Sequence, residues 1–223
     1  MLSVACVIPA LDAAATIGPV AGLLRDVLPH ASIVVVDDGS ADATSEVARG
    51  CGDVLVRFPV NRGKGAALRA GFAAALERGV DVVVTIDADG QHPPEAAPAL
   101  ISALAHADIA IGARSRQTGA MPLGRRMTNA LASAAVGAII GSPVADSQSG
   151  FRAIRREVLE AVTARGERYE YETDFLIQAG RAGFRIRTVP IATLYGAASH
   201  FRAIRDSTRV VRAIWRHRAG AFR

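Results

Sequence analysis

Runs of β-branched residues alternate with Ala-rich runs along the first half of the chain. Two apolar runs, Ile33-Val34-Val35-Val36 and Val82-Val83-Val84-Thr85-Ile86, are continuous, as expected for strands buried on both faces. The pattern predicts strands at residues 3–8, 32–36, 53–57, 80–86 and 109–111, and helices at residues 13–27, 43–49, 66–78 and 94–105. Because the two kinds of run alternate, we predict an α/β fold with a mostly parallel central sheet and helices on both faces.

The regular alternation ends near Gly112. Beyond it the sequence predicts Arg- and Ser-rich loops, a helix of small residues at 127–140, a loop at 141–150 and mixed elements. No internal repeat and no linker-like composition divides the chain. We therefore expect a single domain over residues 1–223, with subdivisions at 1–112, 113–200 and 201–223.

Composition narrows the class of protein. The chain has 223 residues, of which 50% are hydrophobic, and this excludes a disordered protein. No window reaches the roughly 18 consecutive apolar residues of a membrane-spanning helix, and the first residues do not resemble a signal peptide. Cys6 and Cys51 have no metal-ligand spacing, so we expect reduced thiols in a cytoplasmic protein.

Positive charge is concentrated at the end of the sequence. The net charge is +5, but residues 201–223 contain seven Arg and one Asp. Five of these arginines recur at intervals of three and four beside a mostly apolar stripe, which predicts a basic amphipathic helix. The apolar stripe is equally compatible with docking on the protein's own core. Nucleic acid, an anionic membrane surface or a phosphorylated ligand could each bind the basic stripe, so charge alone does not decide.

Carboxylates follow two of the predicted buried strands. Asp37-Asp38 follows the second strand, and Asp87-Ala88-Asp89 follows the fourth. In open α/β sheets ligands bind at the carboxyl ends of the strands, where an acidic residue can accept hydrogen bonds from a base or ribose. Two carboxylates with one spacer suit Mg²⁺ or Mn²⁺ held together with phosphate oxygens. Acidic turns after strands also occur for purely structural reasons.

Lys64, the only lysine, lies in the glycine-flanked turn Asn61-Arg62-Gly63-Lys64-Gly65 at the start of a predicted helix. Backbone N–H groups at such a position favour anions, so Lys64 is a candidate for nucleotide binding. The turn is not a P-loop, because Phe58 replaces the first required glycine and Gly65 replaces the Ser or Thr. The alternative is that the glycines permit tight packing of the helix against the sheet.

These motifs, together with Asp146-Ser147-Gln148-Ser149-Gly150-Phe151-Arg152, resemble the inverting family 2 glycosyltransferases of the GT-A fold. The resemblance is to the branch of dolichol-phosphate mannose synthase-like and polyprenyl-phosphate glycosyltransferases, and it extends from Val4 to about Ile204. It implies a GT-A nucleotide-diphospho-sugar transferase fold. Residues 1–112 would then form the nucleotide-binding half and residues 113–200 the acceptor-binding half.

The resemblance also implies roles on the donor side. Pro9, Ala10 and Asp12 would border the nucleotide pocket, although the family often has Glu where Asp12 stands. Asp38, and with it Asp37, would contact the base and ribose. The cation, Mg²⁺ or Mn²⁺, would be held by Asp87 or Asp89 with Gln91, and Ala88 would line the nucleotide site.

On the acceptor side, the resemblance implies a phosphate site formed by Arg114 with Arg125 or Arg126, because guanidinium makes bidentate contacts with phosphate. Asp146 would be a general base or would orient the acceptor, and it could equally be a loop carboxylate that caps N–H groups. Glu172 and Asp174 are candidates for the acceptor site or for a helix N-terminal turn. His200 and Arg202 would stabilise the leaving nucleoside diphosphate, unless His200 is a solvated loop residue.

We therefore predict an inverting, metal-dependent hexosyltransferase that moves a sugar from a UDP- or GDP-sugar to a polyprenyl (dolichyl or undecaprenyl) phosphate. The alternative within the class is a soluble or glycan hydroxyl acceptor, with Asp146 as base. We expect a cytoplasmic protein peripheral at the inner face of the membrane, with an anionic membrane surface and a membrane protein as further partners. A phosphoacceptor signalling domain is disfavoured because no Lys follows a later strand, and nucleic-acid binding because only 5% of residues are aromatic.

Overall fold

The structure is a computed structural model of the chain, and it describes residues 2–114, 123–168 and 170–192. Seven strands of this part form one sheet: β1 Val4–Ala10, β2 Ser32–Asp37, β3 Val54–Arg57, β4 Val82–Thr85, β5 Ile109–Arg114, β6 Arg152–Arg155 and β7 Ile186–Ile191. Their order is β3-β2-β1-β4-β6-β5-β7, and only β6 runs antiparallel to its neighbours. The prediction of a mostly parallel α/β fold is confirmed.

Seven helices connect these strands. They are α1 Ile17–Val27, α2 Thr44–Cys51, α3 Lys64–Glu77, α4 Ala97–Ala103, α5 Leu123–Ile140, α6 Arg156–Ala161 and α7 Glu170–Arg181, and a 3₁₀ turn at Pro94–Ala96 precedes α4. The five predicted strands and five predicted helices all occur, with bounds shifted by a few residues. The sequence pattern did not predict β6, β7 or α6, and for α7 it offered only a helix N-terminal turn at Glu172 and Asp174 as one of two alternatives; Glu172 does lie in the first turn of α7.

Each face of the sheet has its own apolar core. On one face Val34 and Val36 of β2 pack with side chains of α3, α5, α6 and α7. On the other face Ile33 and Val35 pack with α1, α2 and α4. Successive side chains of a strand point to opposite faces. Both faces of β2 are therefore apolar, which explains the continuous run in the sequence.

The antiparallel strand β6 brings the second half of the chain to the edge of the sheet at which the parallel strands end. Thr85 at the end of β4 pairs with Arg152 at the start of β6. The loop before β6 therefore lies beside the turn after β4, and the Thr85 hydroxyl donates a hydrogen bond of 2.7 Å to the Gly150 carbonyl. Motifs more than 50 residues apart in sequence meet at this edge.

In the part of the chain described, no helix is both long enough and apolar enough to cross a membrane. The tail at 201–223, predicted as a basic amphipathic helix, lies outside the described residues.

Candidate active site

Asp37 is held by contacts within the protein. Its carboxylate is buried, accepts hydrogen bonds from the Ser40 N–H at 2.9 Å and from the Ser45 hydroxyl, and lies 3.6 Å from the Arg57 guanidinium. Burial alone would raise its pKa, but the hydrogen bonds from Ser40 and Ser45 outweigh burial, and the pKa is lowered. These contacts account for Asp37 without a ligand.

Asp38 fixes the turn that precedes α3. Its two carboxylate oxygens accept hydrogen bonds from the Arg62 N–H at 2.7 Å and the Gly63 N–H at 2.8 Å. Burial raises the pKa of Asp38, and these two N–H groups offset the increase only in part. Its backbone N–H donates to the Ala10 carbonyl at 2.8 Å, so β1, β2 and the 61–63 turn meet at this residue.

The loops after β1 and β2 are joined through Asp12. The Asp12 N–H donates to the Ser40 hydroxyl at 2.9 Å, and its carboxylate accepts from the Ala41 N–H at 2.8 Å. Asp12 has a positive φ of 47° and remains exposed. Pro9 and Ala10 lie at the end of β1 in register with Val36 and Asp37. The residues predicted to border the nucleotide pocket thus lie on two neighbouring strand ends that are joined by hydrogen bonds. Their role in nucleotide binding stays a prediction.

The glycines around Lys64 are explained by close packing. A Cβ at Gly63, where φ is 101°, would lie 2.4 Å from the Glu167 carbonyl oxygen, and a Cβ at Gly65 would lie 2.6 Å from the Tyr171 Cβ. The Ala66 N–H donates to the same Glu167 carbonyl at 3.1 Å. The two glycines therefore make room for the segment before α7 and for the start of α7 itself, and not for the sheet, as the packing hypothesis supposed.

Lys64 itself lies between two carboxylates. Its Nζ is 2.6 Å from Asp87 Oδ1 and 3.1 Å from Glu172 Oε2. Burial alone would raise the pKa of Asp87, but the Lys64 charge is the strongest of several influences that lower it, and the net direction is downward. Asp87 is therefore an ionised carboxylate already paired inside the protein.

Asp89 differs from Asp87 in its surroundings. The ion pairs of the described residues include Asp87 but not Asp89, which accepts the Gln91 N–H at 3.0 Å. Burial and the nearby charge of Asp87 raise the pKa of Asp89. Ala88 between them is buried. Asp89 is thus a partly exposed carboxylate that a cation would stabilise.

The residues here fit Mg²⁺ or Mn²⁺. Both ions are held by one or two carboxylates together with water and phosphate oxygens. Asp89, Asp87 and the Gln91 side-chain oxygen are hard ligands of this kind. Among the described residues, no cluster of three or more His, Cys, Asp or Glu could hold a metal on its own.

A second charged pair lies at the end of β5. Arg114 Nε and Nη2 donate to the two oxygens of Asp146 at 2.7 and 3.0 Å, and Asn129 Nδ2 donates to the same carboxylate at 3.0 Å. Burial would raise the pKa of Asp146, but the hydrogen bonds and charge of Arg114 lower it further than burial raises it. The pair fixes the plane of the Arg114 guanidinium.

Sequence reasoning assigned no role to two buried residues of the same motifs. Arg152 donates to the carbonyls of Ser149, Glu172 and Ser147 at 2.9, 3.2 and 3.0 Å and so holds the loop before β6. His92 is buried, and burial lowers its pKa to about 4. The sequence features that could have pointed to these two residues are the Arg directly after Gly150-Phe151 and the His directly after Gln91.

Other predicted residues are placed as follows. Asp174 accepts the Arg165 N–H at 2.6 Å and the Gln178 amide at 2.7 Å, contacts that account for it structurally. Glu172 contacts Lys64. The remaining candidates, the side chains of Arg125 and Arg126 and residues His200 and Arg202, lie outside the part of the chain that the structure describes.

Several relatives of this chain transfer sugars to polyprenyl phosphates according to their names. The undecaprenyl-phosphate mannosyltransferase of Micrococcus luteus is 35% identical over 201 residues, covering 85% of this chain and 83% of that protein. The polyprenol monophosphomannose synthase of Mycolicibacterium smegmatis is 35% identical over 204 residues, covering 83% and 75%.

A solved structure is similar over nearly the whole chain. Glucosyl-3-phosphoglycerate synthase from Mycobacterium tuberculosis, in complex with Mn²⁺, UDP and glucosyl-3-phosphoglycerate, has a TM-score of 0.75 and 25% identity and covers 97% of this chain and 80% of its own. Residues 5–163 match the profile of the family described as Glycosyl transferase family 2. The resemblance inferred from the motifs is confirmed: the chain belongs to glycosyltransferase family 2.

Proposed function

We propose that this glycosyltransferase moves a sugar from a UDP- or GDP-sugar to a polyprenyl phosphate, with Mg²⁺ or Mn²⁺, in one inverting displacement. The observation that supports the acceptor best is the Arg114–Asp146 pair. Asp146 holds the guanidinium in one orientation, with N–O distances of 2.7 and 3.0 Å, and the Arg114 charge acts on both Asp87 and Asp89. A rigid guanidinium fork suits a phosphate, and relatives named for polyprenyl-phosphate substrates agree with this assignment.

On the donor side, the edge formed by Ala10, Asp12 and Asp38 suits the base and ribose, since it lies at the carboxyl ends of β1 and β2. Asp89, with Gln91, would hold the cation on the diphosphate. The solved structures that contain UDP with Mn²⁺ or Mg²⁺ support the same arrangement.

The proposed reaction requires no general base. An oxygen of the acceptor phosphate forms the new bond to the anomeric carbon, while the bond between that carbon and the diphosphate oxygen breaks. The nucleoside diphosphate leaves with the electron pair, and a cation held at Asp89 would supply positive charge for it. Because a phosphate monoester is already anionic at neutral pH, no proton has to be removed.

A hydroxyl acceptor is the second candidate, and structures of the Mycobacterium tuberculosis synthase with phosphoglyceric acid favour it. A hydroxyl acceptor needs a base that can take up a proton. Both oxygens of Asp146 are engaged by Arg114 and Asn129, and its pKa is lowered. These contacts suit Asp146 to positioning Arg114 and make it a weak base, so the geometry favours the phosphate acceptor.

An acceptor embedded in a bilayer requires contact with the membrane. The seven arginines of residues 201–223 suit an anionic membrane surface, each contributing roughly 1 kcal/mol near the headgroups. Attachment of this kind is reversible and sensitive to salt, and a membrane protein partner would strengthen it.

The test is a transfer assay with a panel of UDP- and GDP-sugars in the presence of Mn²⁺. We expect product with undecaprenyl phosphate and none with undecaprenol, which differs only in lacking the phosphate. Arg114→Lys keeps the charge but loses the fork, and kcat/KM for the lipid phosphate should fall about tenfold or more. Arg25→Lys is the matched control, because Arg25 pairs with Asp53 away from the site.

Equal transfer to undecaprenol, or transfer only to a soluble hydroxyl acceptor, would overturn the proposal. In the second case Asp146→Asn should abolish activity. If the acceptor is a phosphate, the same variant should retain part of it, because Asn still accepts a hydrogen bond from Arg114.

A further inference from the structure

Glu172 lies in the first turn of α7, in the second half of the chain, yet it contacts the donor-side lysine. Its Oε2 is 3.1 Å from Lys64 Nζ, and its Oε1 is 3.8 Å from the Arg152 guanidinium. The Glu172 side chain is only 6% exposed and that of Lys64 14%. A buried carboxylate between two cations is costly unless the charges balance.

The charges around the Asp87–Asp89 turn balance when they are taken in groups. Asp87 and Glu172 offset Lys64 and Arg152, and Asp146 offsets Arg114. Asp89 is then the negative charge left over in this set. Within this set of described residues, the charges other than that of Asp89 sum to zero with the Glu172 carboxylate and to +1 without it.

Lys64 also competes with a metal for Asp87. An ammonium 2.6 Å from Asp87 Oδ1 occupies a lone pair that a cation would otherwise use. Glu172 draws the same ammonium from the other side, so Lys64 is shared by two carboxylates. Removing the Glu172 charge would take away one of the two carboxylates that pair with Lys64 among the described residues, and would leave one more net positive charge beside the cation.

We propose that Glu172 is a positioning residue that sets the cation affinity of the donor site by sharing Lys64 with Asp87. The inference rests on the proposed function in one respect, namely that a divalent cation binds at the Asp87–Asp89 turn. Residues that orient metal ligands typically change metal affinity by about 10- to 100-fold when substituted.

The experiment is calorimetric titration of UDP and of GDP into the full chain, with Mn²⁺ and with EDTA. The measured quantity is the Mn²⁺ enhancement, the ratio of the affinities under the two conditions, for the nucleotide that binds. In Glu172→Gln we expect the enhancement to fall about tenfold or more, while binding in EDTA is unchanged or tighter. Glu170→Gln is the matched control: it removes a charge from the same turn, but Glu170 contacts the Glu167 N–H and not Lys64.

The second pair of variants separates charge balance from simple damage to the fold. Lys64→Gln should not lower the Mn²⁺ enhancement, because it removes the competitor for Asp87. The double variant Lys64→Gln/Glu172→Gln restores the net charge and should return the enhancement to near the wild-type value. If Glu172→Gln alone does not fold, Lys64→Gln and the double variant, checked by thermal unfolding, still decide the question.

An unchanged enhancement in Glu172→Gln, or a double variant whose enhancement stays about tenfold or more below that of the wild type, overturns the inference and leaves the proposed function standing. If the wild type binds neither nucleotide more tightly with Mn²⁺, no cation binds at the Asp87–Asp89 turn. That result overturns both the inference and the metal-dependent part of the proposed function.

Discussion

A methyl group added at Gly150 tests whether the alignment of Asp87 with Lys64 is needed for function. Gly150 is buried, and a Cβ on its backbone would lie 2.5 and 2.6 Å from the Asp87 carboxylate oxygens and 2.7 Å from Lys64 Nζ, against ordinary contacts of 3.4–4 Å. Gly150→Ala must therefore displace these side-chain ends by about 0.8 Å.

The displacement should affect function much more than stability. The atoms in the way are the ends of side chains, which can move, so we expect the free energy of unfolding to fall by only about 1–2 kcal/mol. Reacting groups, by contrast, have to be held within about 0.5 Å, and a misplacement near 1 Å can cost about 100-fold in rate. We therefore expect kcat/KM to fall between about 10- and 100-fold.

The assay is sugar transfer combined with urea denaturation of the same preparations. Gly22→Ala is the control, because a Cβ at Gly22 in α1 has no atom within 4 Å. That variant should be more stable by about 0.5–1 kcal/mol and fully active. Wild-type kcat/KM in Gly150→Ala would refute the reasoning. So would a loss of several kcal/mol in stability, since it would mean that the backbone and not the two side chains had to move.

Three further predictions follow from other contacts. Asp89→Asn should reduce nucleoside diphosphate binding about tenfold or more in Mn²⁺ but not in EDTA, measured by calorimetry; equal loss in both would place the cation elsewhere. Asp53 accepts the Ile33 N–H and an Arg25 hydrogen bond, which together outweigh burial and lower its pKa below the usual 3.8. Asp53→Ala should therefore cost about 1 kcal/mol of unfolding free energy near pH 7. The cost should shrink as the pH falls below about 4, because the carboxylate of the unfolded wild type then takes up a proton and the native carboxylate follows at lower pH; urea denaturation at pH 7 and at about pH 3 would contradict this if the difference stayed constant. The full chain should sediment with anionic but not with neutral liposomes at low salt. A variant in which four arginines are replaced by Gln (Arg205, Arg209, Arg212 and Arg216) should stay in the supernatant; a wild type that also stays there argues against membrane attachment.

The first half of the fold could be predicted because its strands are buried on both faces. Such strands read as continuous apolar runs, as in β2 and β4, where every residue of Val82–Thr85 is buried. Strand β6 has no such signal, since it is the four-residue sequence Arg-Ala-Ile-Arg. Its two arginines are tolerated because backbone carbonyls accept their N–H groups, for example Leu104 O at 2.7 Å from Arg155 Nη2. That compensation is tertiary and leaves no periodic pattern.

The candidate site, like the fold, could be predicted from the sequence only in part. The positions of the acidic turns at the strand ends followed from the sequence, because a parallel sheet brings the carboxyl ends of its strands to one edge. The partners of those residues could not be predicted from the sequence. Lys64 meets Glu172, 108 positions later in the chain, and Arg114 meets Asp146, 32 positions later. Such pairs depend on where β6 and α7 pack, which no local pattern specifies.

The turn before α3 gives a reason why the proposed reaction would need a cation. A glycine-rich turn at the start of a helix can bind a diphosphate through its N–H groups. Here four of those groups already have protein acceptors: the N–H groups of Arg62 and Gly63 donate to Asp38, that of Ala66 to Glu167 O, and that of Ala67 to Gly63 O. The turn therefore offers few donors for a diphosphate, and Lys64 is engaged by two carboxylates. The negative charge of a leaving nucleoside diphosphate would then have to be met by other groups, and a divalent cation at Asp89 is the one that the described residues suit best.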